Sequence, residues 1–347
     1  MGTPSYLRTA ALSTTLDEMD SPLAFLSRLL LPQSRRSTVA HEDIEISKIS
    51  GDRQVAGFVR RGGPARSLEG YSTRIDSVKA PHINVKRPIN PWEVFGKRQP
   101  GMGLFPSEQE QARAYRQHVA TEMGILEDSI VNTEEWMAAQ LLQGVIDWSV
   151  ADEEHFTLDF QKPASHETAV DTVWSNSSAD PSVDFRQAKR LMNATHPGLV
   201  PNICLMSPSA ADAFMALSAV KTQLNTTNFR AGALTIEEQY RDVGLIYLGR
   251  YSGIDCWEYG ASLDVNGVDT PLIRTDFVEF VSTSGNNGVE AFYAAIPDVE
   301  QSSGLFVGRR LGKSWIEREG GIRVVQAQSR PLFVARKPGF VVSMDSL

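Results

Sequence analysis

Cysteine is nearly absent from this chain. Only Cys204 and Cys256 occur, in neither a CxxC nor a metal-ligand spacing. Two such residues do not make a disulfide framework, and they read as buried thiols in a reducing compartment. Histidine is scarce as well. His41, His82, His118, His155, His166 and His196 are scattered, and no two stand four apart on one helix face, so a zinc site built from sequence neighbours is not expected. No apolar run reaches the length needed to span a bilayer. The stretch Leu23 to Leu31 is interrupted by Arg28 and preceded by Asp17, Glu18 and Asp20, where a signal peptide carries basic residues. A cytosolic chain with no membrane partner is the expectation. Positive charge is in deficit too: a net charge of −8 argues against a protein whose main task is gripping nucleic acid.

Local catalytic motifs are missing. The chain has no GxSxG, GxxxxGK[ST] or HExxH, and no GxGxxG after a strand; Gly101-Met102-Gly103 runs into Pro106. Asp264-Val265-Asn266-Gly267 lacks the later bidentate Glu of a calcium loop and reads as an Asn-Gly turn. Glu134-Glu135 and Asp152-Glu153-Glu154 are adjacent carboxylates. On a helix such neighbours point to different sides, so a solvated acidic face is the expected account. Nothing commits the chain to a reaction, and neither cofactor nor metal is expected.

What is present is a folded-protein composition, 41% hydrophobic and 22% charged, and 347 residues, enough for one large or two ordinary domains. The chain is organised around Ser107 to Asp147. Ser107 and Glu110 have the spacing of a capping box, and Tyr115, Val119, Met123, Leu126 and Ile130 follow at gaps of four, four, three and four. After Asn132-Thr133, where Thr133 is placed to re-cap the helix, the stripe resumes at Met137, Leu141 and Val145. Unbroken, this helix would be roughly 60 Å long, a spine for an elongated subunit. Between Ser107 and His155 there are eleven acids and two bases. The exposed face is therefore expected to be strongly acidic.

Asp52 to Arg98 is its counterpart, with ten bases and four acids. Gln54 to Arg60 and His82 to Arg87 read as strands, separated by a connection too poor in apolar residues to form a core. A basic β-arm with little to bury is unstable alone, and it makes sense lying on the acidic spine of a neighbouring copy. Nucleic-acid binding is the competing reading, disfavoured because Tyr71, Trp92 and Phe95 are too scattered to stack bases. In the expected interface Arg53, Arg60, Arg61, Arg66, Arg74, Lys86 and Arg87 face Glu108, Glu110, Glu122, Glu127, Asp128, Glu134 and Glu135. Gly62 and Gly63 lie in the connection, and Leu68, Tyr71 and Trp92 hold the arm down through apolar contact. Residues 1–50 read as an arm with one short helix, capped at Ser21-Pro22 and stopped at Pro32. The middle third, with helices opening at Asp180-Pro181 and Ser207-Pro208, reads as a mixed α/β unit with an antiparallel sheet. Further strands follow to the C-terminus.

Three stretches carry a family resemblance. Arg309-Arg310-Leu311-Gly312-Lys313-Ser314-Trp315, Glu319-Gly320-Gly321-Ile322-Arg323 and Gln326-Ala327-Gln328-Ser329-Arg330-Pro331-Leu332 resemble the close of lambda-type major head proteins of tailed bacteriophages, the phage major capsid protein E family. Arg60-Arg61-Gly62-Gly63, with Lys79-Ala80-Pro81-His82 and Val85-Lys86-Arg87-Pro88, resembles that family's arm region, and Glu237 to Tyr251 is similar in order and character. The resemblance implies the α+β tailed-phage capsid fold. Its parts would be an N-terminal arm (1–50), an extended loop (51–104), a peripheral domain (105–175 and 283–333) and an axial domain (176–282 and 334–347). It further implies hexamers and pentamers forming an icosahedral head around double-stranded DNA. The partners would be a portal protein, a scaffold and a decoration protein, with assembly in the host bacterial cytoplasm and residence in the virion. The lysine–asparagine bond of some relatives is not expected at Lys79, Asn84, Lys86 or Asn90. A nanocompartment shell of the same fold and a soluble enzyme without a local motif are the alternatives.

Overall fold

Ser107 has extended backbone at the head of the long helix. Its hydroxyl accepts from the Glu110 amide (3.3 Å), and the Glu110 carboxylate accepts from the Ser107 amide (2.7 Å). This reciprocal pair satisfies two donors that a helix start leaves open. A computed structural model describes residues 7–18, 24–50, 72–90, 107–148, 155–227, 245–265, 267–284, 287–301, 304–317 and 322–347. From the capping box the spine helix runs through Glu108–Gln143, 36 residues, or about 54 Å. Thr133 does not re-cap it: its hydroxyl donates to the Ser129 carbonyl (3.1 Å), a bond the helix tolerates without breaking. The helix ends at Gly144, whose φ of +89° suits glycine, and a Cβ there would meet the Lys162 Cβ at 2.6 Å.

The first half of the spine packs on a three-stranded sheet of Leu311–Ile316, Arg323–Ser329 and Ile83–Ile89. Val119, Met123, Leu126 and Ile130 meet Ile89, Val325 and Ala327 there. The N-terminal segment completes this core. It contains two described helices, Thr9–Glu18 and Leu26–Leu30, where the sequence suggested one. The first was missed because only Leu12 and Leu16 mark its buried face. It lies so close to the strand Leu311–Ile316 that a Cβ on Gly312 would sit 2.8 Å from the Leu12 Cβ. The proposed cap at Ser21-Pro22 lies outside the described residues.

The largest sheet has six strands in the order Glu167–Ala169, Val341–Asp345, Phe277–Val281, Ile203–Met206, Ile254–Tyr259, Leu245–Tyr251. It is mixed, not antiparallel as expected: Ile203–Met206 runs parallel to Ile254–Tyr259, and Val341–Asp345 parallel to Glu167–Ala169. Each parallel pair is joined by a long crossover, not a tight turn, and strand direction is set by that route and not by the strands' own residues. Pro181–Thr195 and Pro208–Ala216 start as the sequence indicates, with Asp180 and Ser207 as side-chain caps and proline in the first turn. Phe185 packs edge-on against Phe280 (4.8 Å between ring centroids) and Tyr251 (4.9 Å), in an interior free of water-facing surface. The strands on either side of Asn266-Gly267, Ser262–Val265 and Val268–Pro271, pair antiparallel as expected.

Finally, Asp43–Ser50 pairs along its whole length with Ser72–Lys79 in an antiparallel hairpin. Its first strand begins before residue 51, within the stretch read from sequence as the N-terminal arm. The anticipated strand Gln54 to Arg60 lies outside the described residues.

Candidate assembly surfaces and the buried clamps beneath them

Of the seven spine acids, Glu122 is buried against Arg87 and the other six divide into two groups. Glu108, Glu110 and Asp128 are exposed, and the Ser107 amide and hydroxyl hold the Glu110 carboxyl below its ordinary pKa. Glu127, Glu134 and Glu135 are instead at most 2% exposed. The uniformly solvated acidic face expected from the sequence is therefore not there. Each of these three finds its partner within the same chain.

Arg310, fully buried, is the first partner. Its Nε donates to both carboxylate oxygens of Glu127 (3.0 and 2.9 Å), and its Nη1 donates to Glu134 (2.8 Å) and to the Ser329 hydroxyl (2.8 Å). Arg309 adds a second contact to Glu134 at 3.4 Å. The guanidinium is shared unequally. Burial pushes the Glu127 carboxyl up to about 7 despite Arg310. Glu134 is buried too, but Arg310 and Arg309 outweigh that cost and hold it below its ordinary value. The two glutamates raise the Arg310 pKa above its ordinary value, so Arg310 stays charged. Sequence could have flagged these acids. Glu127 stands four after Met123 and three before Ile130, and Glu134 stands four after Ile130 and three before Met137. Both fall inside the apolar stripe, where a carboxylate needs a buried cation.

Glu135 works differently. It accepts from the amides of Phe25 (3.1 Å), Leu26 and Ser27 (2.9 Å) and from the Tyr259 hydroxyl (3.0 Å). A side chain from the spine thus caps the short helix Leu26–Leu30 from more than a hundred residues away, in place of a local cap. Burial raises its pKa, partly offset by those donors. At the C-terminus of the spine Lys162 donates to the Leu142 carbonyl (3.2 Å) and to Ser343, which donates to Glu279. Glu279 also pairs with Arg274 at 3.3 Å. A helix C-terminus is thereby tied to the six-stranded sheet by a cation, whose pKa burial lowers.

The hairpin is rooted in the same manner. Arg330 donates to the Ala295 carbonyl, the Ala80 carbonyl and Glu42, each at 3.1 Å, clasping both legs of the hairpin where they leave the body. Beside the root lies a groove of about 870 Å³ floored by Trp136, Met137, Trp148 and Phe156.

Of the basic residues assigned to the arm, Arg87 pairs with Glu122 of its own chain at 2.7 Å. That pair is intramolecular because Ile83–Ile89 lies in the sheet under the spine, not in the projecting arm. Lys86 is exposed on the same strand. Arg53, Arg60, Arg61, Gly62, Gly63, Arg66, Leu68, Tyr71 and Trp92 lie outside the described residues, as does the side chain of Arg74. Among the described residues, no three or more His, Cys, Asp or Glu cluster to hold a metal ion, and no helix is long and apolar enough to cross a membrane.

The sequence matches the phage major capsid protein E family over residues 8–346. The chain belongs to that family. Solved capsids share its fold. A putative capsid protein of a prophage from E. coli CFT073 superposes with a TM-score of 0.74 at 17% identity, covering 98% of this chain and 99% of that one. The capsid of cyanophage P-SCSP1u gives 0.51 at 8% identity, covering 93% and 88%. The capsid of Ralstonia phage GP4 gives 0.50 at 15% identity, covering 95% and 92%. No curated protein sequence matches the chain significantly. This capsid protein has a structural role in the phage particle, and its family and fold point away from catalysis. In this capsid protein, the Arg309-Arg310 pair that carried part of the resemblance clamps the spine, Arg310 from a fully buried position and Arg309 from a partly exposed one.

Proposed function

We propose that this major capsid protein assembles into hexamers and pentamers that close an icosahedral head around double-stranded DNA, with the extended hairpin of each subunit laid over its neighbour. The observation that carries this reading is the hairpin itself: two strands paired from Asp43 to Lys79 and rooted by Arg330, leading into a connection that holds Arg53, Arg60, Arg61 and Arg66. Glu127, Glu134 and Glu135 are engaged inside their own subunit. Glu108, Glu110 and Asp128 are the spine acids left for a neighbour's arm. Exposed ion pairs contribute only about 0–1 kcal/mol each. Charge therefore sets register and encounter rate, while Leu68, Tyr71 and Trp92 supply apolar hold. Many weak contacts closing on one another make a stable container. The net acidic subunit lets packaged DNA move without adhering. Portal, scaffold and decoration proteins complete the head, which is built in the host cytoplasm.

Joint substitution of Arg60→Glu and Arg61→Glu should leave the subunit folded by circular dichroism and abolish closed particles in electron micrographs. Normal shells from this variant would remove the arm from the mechanism. Nucleic acid inside phage-derived particles supports a head, whereas a cargo enzyme in its place would support a nanocompartment.

A further inference from the structure

The two cysteines of the chain are remote in sequence and adjacent in space. Ile203–Met206 and Ile254–Tyr259 are neighbouring parallel strands inside the six-stranded sheet, and Cys204 and Cys256 are register partners across that seam. Partners on adjacent strands point to the same face, and strands lie about 4.8 Å apart. That spacing falls within the Cα separation a disulfide spans, roughly 4.4–6.8 Å. Both side chains are fully buried and both thiols are free. Burial, the adjacent Cys256 and the nearby Glu279 raise the Cys204 pKa, and the Cys256 thiol donates to the Ile254 carbonyl (3.7 Å). No third cysteine exists to compete.

We propose that Cys204 and Cys256 form a latent cross-strand disulfide site, closed by a peroxide-class oxidant, that locks the parallel seam of the sheet. In the first step one sulfur, as thiolate, attacks the peroxide O–O bond. An S–O bond forms, the O–O bond breaks, and the leaving hydroxide departs as water with the thiol proton. The second sulfur then attacks the sulfenic sulfur. The S–S bond forms, the S–O bond breaks, and a second water carries off the second proton. Two thiols are oxidised and one peroxide is reduced to two waters. Hydrogen peroxide is nearly as small as water and suits a buried site. The elevated Cys204 pKa makes closure slow in the native sheet. The bond would enclose a loop of about 50 residues, long enough to raise thermal stability by roughly 5 °C.

The test treats the full-length protein with hydrogen peroxide, denatures it with iodoacetamide present, and reads the intact mass. A mass lower by two hydrogen atoms with no alkylation is expected, reversed by dithiothreitol, together with the rise in Tm. Cys204→Ser and Cys256→Ser should each abolish the loss and leave one alkylatable or over-oxidised sulfur. A second arm refolds the protein in a glutathione redox buffer, so that oxidant access to the core no longer limits the result. A disulfide in either arm supports the site. Two alkylated thiols in both arms, or sulfinic acids in their place, would overturn it.

Discussion

Two regions of this subunit are buried by opposite chemistry. Beneath the six-stranded sheet, Phe185, Phe214, Tyr251 and Phe280 fill the interior with ring against ring. Under the spine helix the apolar stripe is interrupted by Glu127, Glu134 and Glu135, and at those positions the contact is made by Arg310 and by open backbone amides. The aromatic interior tolerates changes of partner, since any side chain of about the right volume serves. The ionic one does not, because each charge there is acceptable only while its own partner is in place. The spine joins the N-terminal segment, the three-stranded sheet and the six-stranded sheet, so its rigid register is where specific pairing matters most. A protein that must present the same surfaces in every copy of a shell gains from fixing that register.

The sharpest way to break the comparison is to remove one partner on each side. Arg310→Ala should cost about 3–5 kcal/mol, leaving Glu127 and Glu134 buried without their cation. Phe280→Ala should cost a similar amount, about 3–5 kcal/mol, through the cavity it leaves. The difference lies in rescue. Adding Glu127→Gln and Glu134→Gln to Arg310→Met should recover most of the loss in denaturant midpoint, as no charge then remains unpaired. Failure of that triple variant to recover would show that the cluster acts by shape and not by charge balance.

A medium effect separates the two regions by pH. The folded pKa of Glu127, about 7, lies above its unfolded value, so the folded state holds the extra proton. Its contribution is present in full below about pH 4.5 and is lost as pH rises through 7, on the order of 3 kcal/mol. His166 acts in the opposite sense. Fully buried between Val341 and Thr195, with its pKa lowered by burial, it costs stability as pH falls below about 6.5, where the unfolded chain takes up a proton first. Glu127→Gln should flatten the decline of urea midpoint between pH 5 and 8 while leaving the acid-side loss intact. An unchanged slope would place the neutral-range titration elsewhere. The smallest effect belongs to the edge of the spine: Arg87→Ala removes a half-exposed guanidinium from the buried carboxylate of Glu122 and should change stability by about 1 kcal/mol. A larger loss would mean that this edge of the sheet is held by charge after all.

Much of the scaffold was legible before any coordinates. The Ser107-Glu110 box, Asp180-Pro181 and Ser207-Pro208 mark helix starts because their signals are local, within three residues of the bond they make. The apolar stripe showed which face of the spine turns inward. The acids inside that stripe were misread, because the sequence places the answer to Glu134 at Arg310, far along the chain. The cap of Leu26–Leu30 comes from Glu135, a partner that no signal near the helix announces. The parallel seam holding Cys204 beside Cys256 could not be read, since strand direction depends on the connections between strands.

By itself, then, the sequence determined the long capped helix, the strand and turn sequence of the α/β unit and the basic stretch set against an acidic one. All of these follow from spacing along the backbone or from counting charges. Only the tertiary structure decided which acids face inward, which arginines answer them and which strands become neighbours. Those outcomes rest on through-space pairing between distant segments, where the cost of burying a lone charge selects the partner.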